Sequence, residues 1–148
     1  MNVETVALIV VLGLGTAWAV HLELRRRAAL KAYWSRSCAG RAWREAFRDA
    51  PKDAIREFLY FVVDEFGFER SRALNLAPQD TVLGLYKACY PDPSAPDAME
   101  LETLHRTLSA RYGAARFQAV PEGVTFGELF RLAREARPNT SLERTRER

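Results

Sequence analysis

Val6 to Val20 (VALIVVLGLGTAWAV) contains no charged residue, and Val3, Leu22 and Leu24 extend its apolar character. A run of this kind has three homes: a membrane, a protein core, or a leader that is cut away. Its fifteen residues fall just short of the about 20 that a helical span needs. The flanks support a span, because Trp18 suits an interfacial anchor and Arg25-Arg26-Arg27 suit a cytoplasmic stop. A leader would use Ala17-Trp18-Ala19 as its small-x-small site, but it also wants basic residues ahead of the apolar run, where this chain has Glu4. The expected reading is a transmembrane anchor over residues 1–24, with a buried core helix as the competing one. The positive-inside bias then puts the N-terminus outside an inner (cytoplasmic) membrane and everything after Arg25 in the cytoplasm, as a single pass.

Charge is unevenly spread over the 148 residues, and the net +3 describes no part of them. His21 to Arg48 has eight Lys/Arg against two Asp/Glu, whereas Asp49 to Glu135 has ten against fourteen. Ala136 to Arg148 turns basic again, with four Arg and two Glu. The first basic segment continues the anchor as a helix from Leu22 to Phe47. Leu30 and Trp34, Ala39 and Trp43, and Trp43 and Phe47 are each four apart, with arginines mainly between them. Such a juxtamembrane helix, residues 25–50, could lie on anionic headgroups, each cation there contributing about 1 kcal/mol. Trp34, Trp43 and Phe47 could equally pack on the domain that follows. Nucleic acid is not an expected partner, since the cations adjoin an apolar span and no binding motif accompanies them.

Residues 51–136 carry the periodicities of a small all-α bundle. Pro51 suits the first turn of a helix, Ile55, Phe58, Leu59, Val62, Val63 and Phe66 form one apolar face, and Gly67 ends it. Phe68 to Pro96 reads as loop-rich, with turn chemistry from Leu76 to Thr81 and a short apolar turn at Val82, Leu83, Leu85 and Tyr86. Pro91, Pro93 and Pro96 bar a helix there. Asp97 is a candidate N-cap for the next helix, whose buried stripe is Met99 or Leu101, then Leu104, Leu108 and Tyr112, closed by Gly113. A last helix starts near Thr125, with Glu128 completing a capping box and Phe126, Leu129, Phe130 and Leu132 facing inward. Residues 137–148 read as a disordered basic tail.

Three of these motifs, in this order, resemble those of acyl carrier proteins. Leu76-Ala77-Pro78 with Asp80-Thr81 resembles the Ile-Thr-Pro-Asp loop that follows the first carrier helix. Asp97 to Tyr112 is similar to the second helix, which opens Asp-Ser-Leu in carriers. Val124-Thr125-Phe126-Gly127-Glu128 resembles the Thr-Thr-Val-Gly-Asp start of the last helix. The likeness covers Asp53 to Ala136 and implies an acyl-carrier-like bundle. The position of the phosphopantetheine-bearing serine is held by Ala98, which has no hydroxyl to esterify. Ser94 and Ser109 are the nearest hydroxyls and neither matches that position. The loop from Leu85 to Asp97 is longer than in typical carriers. Carriers dock through the first half of the second helix, so the resemblance implies a partner face at Met99, Glu100, Glu102, Thr103 and Arg106. Its mixed charge, with His105 and Arg111 beside it, implies partners unlike those of a strongly acidic carrier helix.

No catalytic constellation is evident. Asp64 and Glu65 are adjacent and splay apart on a helix, and Glu100 and Glu102 do not face one another. His105 has no evident Ser, Cys or metal-ligand companion, and the two cysteines, Cys38 and Cys89, form no metal-binding or disulfide pattern. The expectation is a membrane-anchored, non-enzymatic interaction module without cofactor or metal, serving an unidentified protein partner, as an accessory to lipid or envelope metabolism. The alternatives are an atypical acyl or peptidyl carrier modified at a non-standard serine, and a small anchored helical domain only coincidentally carrier-like.

Overall fold

A computed structural model describes residues 2–92, 100–113 and 123–136. Among them the chain is all-helical: α1 (Val3–Trp34), α2 (Gly40–Ala46), α3 (Lys52–Glu65), a 3-10 helix (Arg70–Asn75), α4 (Val82–Cys89), α5 (Glu100–Tyr112) and α6 (Phe126–Ala136). The only extended pairing described is an antiparallel bridge between Thr81 and Thr125.

The apolar run lies within α1, whose 32 residues extend about 48 Å at a rise of about 1.5 Å each. None of its most apolar window is buried. A core helix would be covered, so that reading of the run does not hold. Leu8, Ile9, Val11, Leu14 and Trp18 all project outward. Only the far end of α1 packs on protein, where Leu30 is buried and Tyr33 and Trp34 are partly so.

The expected continuous helix from Leu22 to Phe47 is interrupted at residues 35–39. The cause is tertiary, because better bonds are available outside the helix. Ala39 N–H donates to the Leu74 carbonyl at 2.7 Å, and the Asn75 side chain donates to the Arg36 carbonyl at 3.0 Å. Arg36 Nη1 reaches both Asp80 carboxylate oxygens at 2.7 and 2.8 Å. The same carboxylate accepts from the Ala77 N–H at 2.7 Å. One acid thus ties the end of α1 to the loop before α4.

The break lets α2 turn inward and carry Trp43 to the centre of the core. Trp43 is 1% exposed, stacks on Phe47 at 5.6 Å between centroids, and meets Phe130 edge-on at 5.8 Å. Its indole N–H donates to the buried Leu76 carbonyl at 2.8 Å. Trp34 packs edge-on against Phe68 at 4.9 Å. Of the two homes open to these aromatics, headgroups or the following domain, they occupy the domain.

All six residues expected on this face are buried, five on α3 and Phe66 just past its end, together with Phe61. Pro51 precedes the first helical residue rather than occupying it. Gly67 ends the helix at φ +67°, where a glycine avoids the steric cost of a Cβ. The segment expected to be loop-rich contains two helices. The 3-10 helix holds Ala73, and α4 is a full eight residues, capped by Thr81 Oγ1 accepting from Gly84 N–H at 3.0 Å. On α5, Leu104, Leu108 and Tyr112 are buried and Leu101 partly so, as expected. Its proposed cap, Asp97, lies outside the described residues.

The expected capping box opens α6. Thr125 N–H donates to Glu128 Oε2 at 2.8 Å and Glu128 N–H to Thr125 Oγ1 at 3.2 Å. The Thr125 N–H and hydroxyl, both donating to Glu128 Oε2, hold the Glu128 carboxyl below its ordinary range. Gly127 N–H donates to the Pro78 carbonyl at 2.8 Å, and a Cβ on Gly127 would come within 3.0 Å of that oxygen. The 76–80 loop and the start of α6 therefore meet by backbone contact. The tail from residue 137 lies outside the described residues.

Candidate functional site

The expected partner face divides between described and undescribed residues. Ala98 and Met99 lie outside the described residues, and Glu100 begins α5. Glu102 and Arg106 are exposed one turn apart, and Thr103 is half-buried, its carbonyl accepting from Thr107 Oγ1 at 2.9 Å. The helix buries Leu104 and Leu108 behind them. Among the described residues this face is a polar helix surface backed by core. Farther along, Arg111 pairs with Glu57 on α3 and fixes the end of α5 to the bundle. Ser109 is half-buried, and its carbonyl accepts from Gly113 N–H at 2.9 Å.

His105 is half-buried, and its Nε2 has no hydrogen-bond partner among the described residues. The cysteines form no disulfide, with Cys38 exposed and Cys89 buried. No described cluster of His, Cys, Asp and Glu could hold a metal ion. Asp64 binds Arg70 Nη2 at 2.7 Å and Asp49 binds Arg134 Nη2 at 2.8 Å. Each guanidinium holds its partner carboxyl below the ordinary value. These acids are fastened to cations across turns and helices.

At the expected membrane interface, Trp18 is exposed on α1 and tilted over His21, with 6.3 Å between ring centroids. Arg25 and Arg27 are exposed and Arg26 half-buried. Sequence reasoning missed the role of Glu23, which binds Arg27 Nε at 2.8 Å and Arg26 Nη1 at 3.7 Å. Its spacing to both, three and four residues, was the available signal.

These features define the class: a helical domain packed on the end of one helix long and apolar enough to cross a membrane. No family model, no curated protein and no solved structure matches this chain.

Proposed function

We propose that this is a single-pass membrane protein whose cytoplasmic helical domain is a non-enzymatic interaction module. The observation that carries the proposal is α1, apolar and uncovered through its first two-thirds and anchored in a packed domain at its end. Val3 to Leu22 supplies 20 helical residues, about 30 Å, which matches the hydrocarbon thickness. From Ala29 and Leu30 onward the helix packs into the domain, so only about four residues, roughly 6 Å of helix, separate the start of the basic segment from the domain.

The domain has an acyl-carrier-like motif order with alanine in place of the modified serine, and its partner face is the exposed surface of α5 around Glu102 and Arg106. This supports a scaffold that binds a protein partner in lipid or envelope metabolism without carrying an acyl group. Orientation has a direct test, because Cys38 is exposed on the domain side and Cys89 is buried. In intact cells an impermeant maleimide should label an Asn2→Cys variant and spare Cys38 until the cells are permeabilised. Labelling of Cys38 in intact cells would reverse the topology. Intact-mass analysis of the native protein should show no pantetheine adduct, and an adduct would establish the atypical carrier instead.

A further inference from the structure

A concave surface between α2, the start of α3 and the 3-10 helix lies on elements other than α5. It encloses about 340 Å³, and Arg41, Arg44, Lys52 and Arg56 line it together with Ile55 and Leu74. That volume falls in the range of roughly 300–1,000 Å³ typical of small-ligand pockets. The helical spacing explains the convergence. Arg41 and Arg44 are three apart on α2, Lys52 and Arg56 four apart on α3, so each pair shares a face.

These cations do not hold the fold together. Arg36, Arg70 and Arg134 each bridge separate elements or turns through Asp80, Asp64 and Asp49. In the cleft, among the described residues, Arg41 pairs only with Glu45 of its own helix at 2.8 Å, and Arg56 only with Asp53 at 3.8 Å. Arg44 and Lys52 are exposed and form no ion pair among the described residues. Four like charges lining one cavity repel one another, and no described bond between elements offsets that.

We propose that this cleft binds the phosphate group of an amphiphilic ligand, with the guanidinium forks on the phosphate oxygens and the adjoining carbons against Ile55 and Leu74. Arginine forks match phosphate bidentately, and four cations exceed what the two oxygens of one carboxylate can engage. The phosphate can come from a lipid headgroup or from a free phosphate. The site rests on α2 and α3, so it stands independently of the α5 partner face.

The test uses the full chain in neutral-detergent micelles, titrated calorimetrically with dihexanoyl phosphatidic acid, dihexanoyl phosphatidylcholine and inorganic phosphate. Phosphatidic acid should bind saturably at one site and weaken as salt rises. Phosphatidylcholine should bind at least tenfold more weakly, because its choline offsets the phosphate charge. Tighter binding of phosphatidic acid than of phosphate assigns the lipid source, and equal binding assigns the free anion. The Arg44→Gln/Lys52→Gln variant should lose tenfold or more in affinity, while Arg131→Gln on α6 should lose none. Cys38 also lines the cleft, so bound phosphatidic acid should slow its alkylation in the unmodified chain, a readout needing no variant. Failure of both phosphate ligands to bind, wild-type affinity in the double variant, or no protection of Cys38 would each overturn the proposal.

Discussion

Trp43→Phe separates a tryptophan resting on a membrane surface from one built into the domain. The indole N–H bonds a buried carbonyl, that of Leu76, at 2.8 Å. Phenylalanine keeps most of the apolar contact with Phe47, Phe58 and Phe130 but strands that acceptor, which costs about 1–3 kcal/mol. The smaller ring also leaves a void of a few tens of Å³, and at about 24 cal/mol per Å³ this adds roughly 1 kcal/mol. The expected loss is therefore about 2–4 kcal/mol, a large share of the about 5–15 kcal/mol that holds an ordinary domain.

The assay is denaturant unfolding of the full chain in neutral detergent, followed by near-ultraviolet circular dichroism. That signal reports fixed aromatic packing in the domain and leaves out the backbone signal of the apolar helix. Trp18→Phe serves as the reference, because Trp18 is exposed on α1 far from the core. It should leave the domain's midpoint unchanged. Trp34→Phe should lie between, costing under about 1 kcal/mol, since Trp34 is only partly buried and phenylalanine retains an edge-to-face contact with Phe68. Equal midpoints for the Trp43 and Trp18 variants would refute the inward turn of α2.

Two further outcomes follow from the ends of helices and from charge. Thr125→Ala removes one half of the capping box and should cost about 0.5–2 kcal/mol by the same assay, whereas Thr107→Ala, whose hydroxyl bonds within its own helix, should cost less. Acid should destabilise the domain: Glu128, held by the Thr125 N–H and hydroxyl, Asp64, held by Arg70, and Asp49, held by Arg134, all have lowered folded values. Their stabilisation is complete above the unfolded values near about 4 and disappears as pH falls through the lower folded ones. The midpoint should stay level from neutral to weakly acid pH and then fall, and a midpoint that rose on acidification would contradict these ion pairs.

The faces of α3 and α5 were legible because each repeats apolar residues over about three turns, and that of α6 over about two, and because Gly67, Gly113 and the Thr125–Glu128 pair punctuate them. The helix α4 was not, since Val82–Cys89 has too few turns to separate a helical period from a short apolar cluster. The break at residues 35–39 was invisible for another reason. No proline or glycine marks it before Gly40, and the bonds that draw the chain aside come from Leu74, Asn75 and Asp80, some forty residues away. The candidate partner face rests on motif order alone, and its first member, Met99, lies outside the described residues. The basic cleft was spread over α2, α3 and the 3-10 helix, so no local spacing could display it.

The three tryptophans show why sequence left the juxtamembrane segment open. An indole is a large apolar body with one donor, and both a membrane interface and a protein core accept it if that donor is satisfied. Helical spacing therefore scores Trp34 and Trp43 alike under both readings. What distinguishes them is the acceptor, and for Trp43 it is a main-chain carbonyl whose position depends on the fold of residues 66–80. That carbonyl is available because Leu76 N–H and the Ala77–Asp80 turn are satisfied by Ala73, Arg36-bound Asp80 and one another. The tie between Arg36 and Asp80 thus does two things together. It stops α1 from running on as one basic helix, and it holds the loop carbonyl that accepts from Trp43. An Asp80→Asn change keeps the shape while removing the charge, so it should loosen both the end of α1 and the seat of Trp43, where a surface ion pair would affect neither.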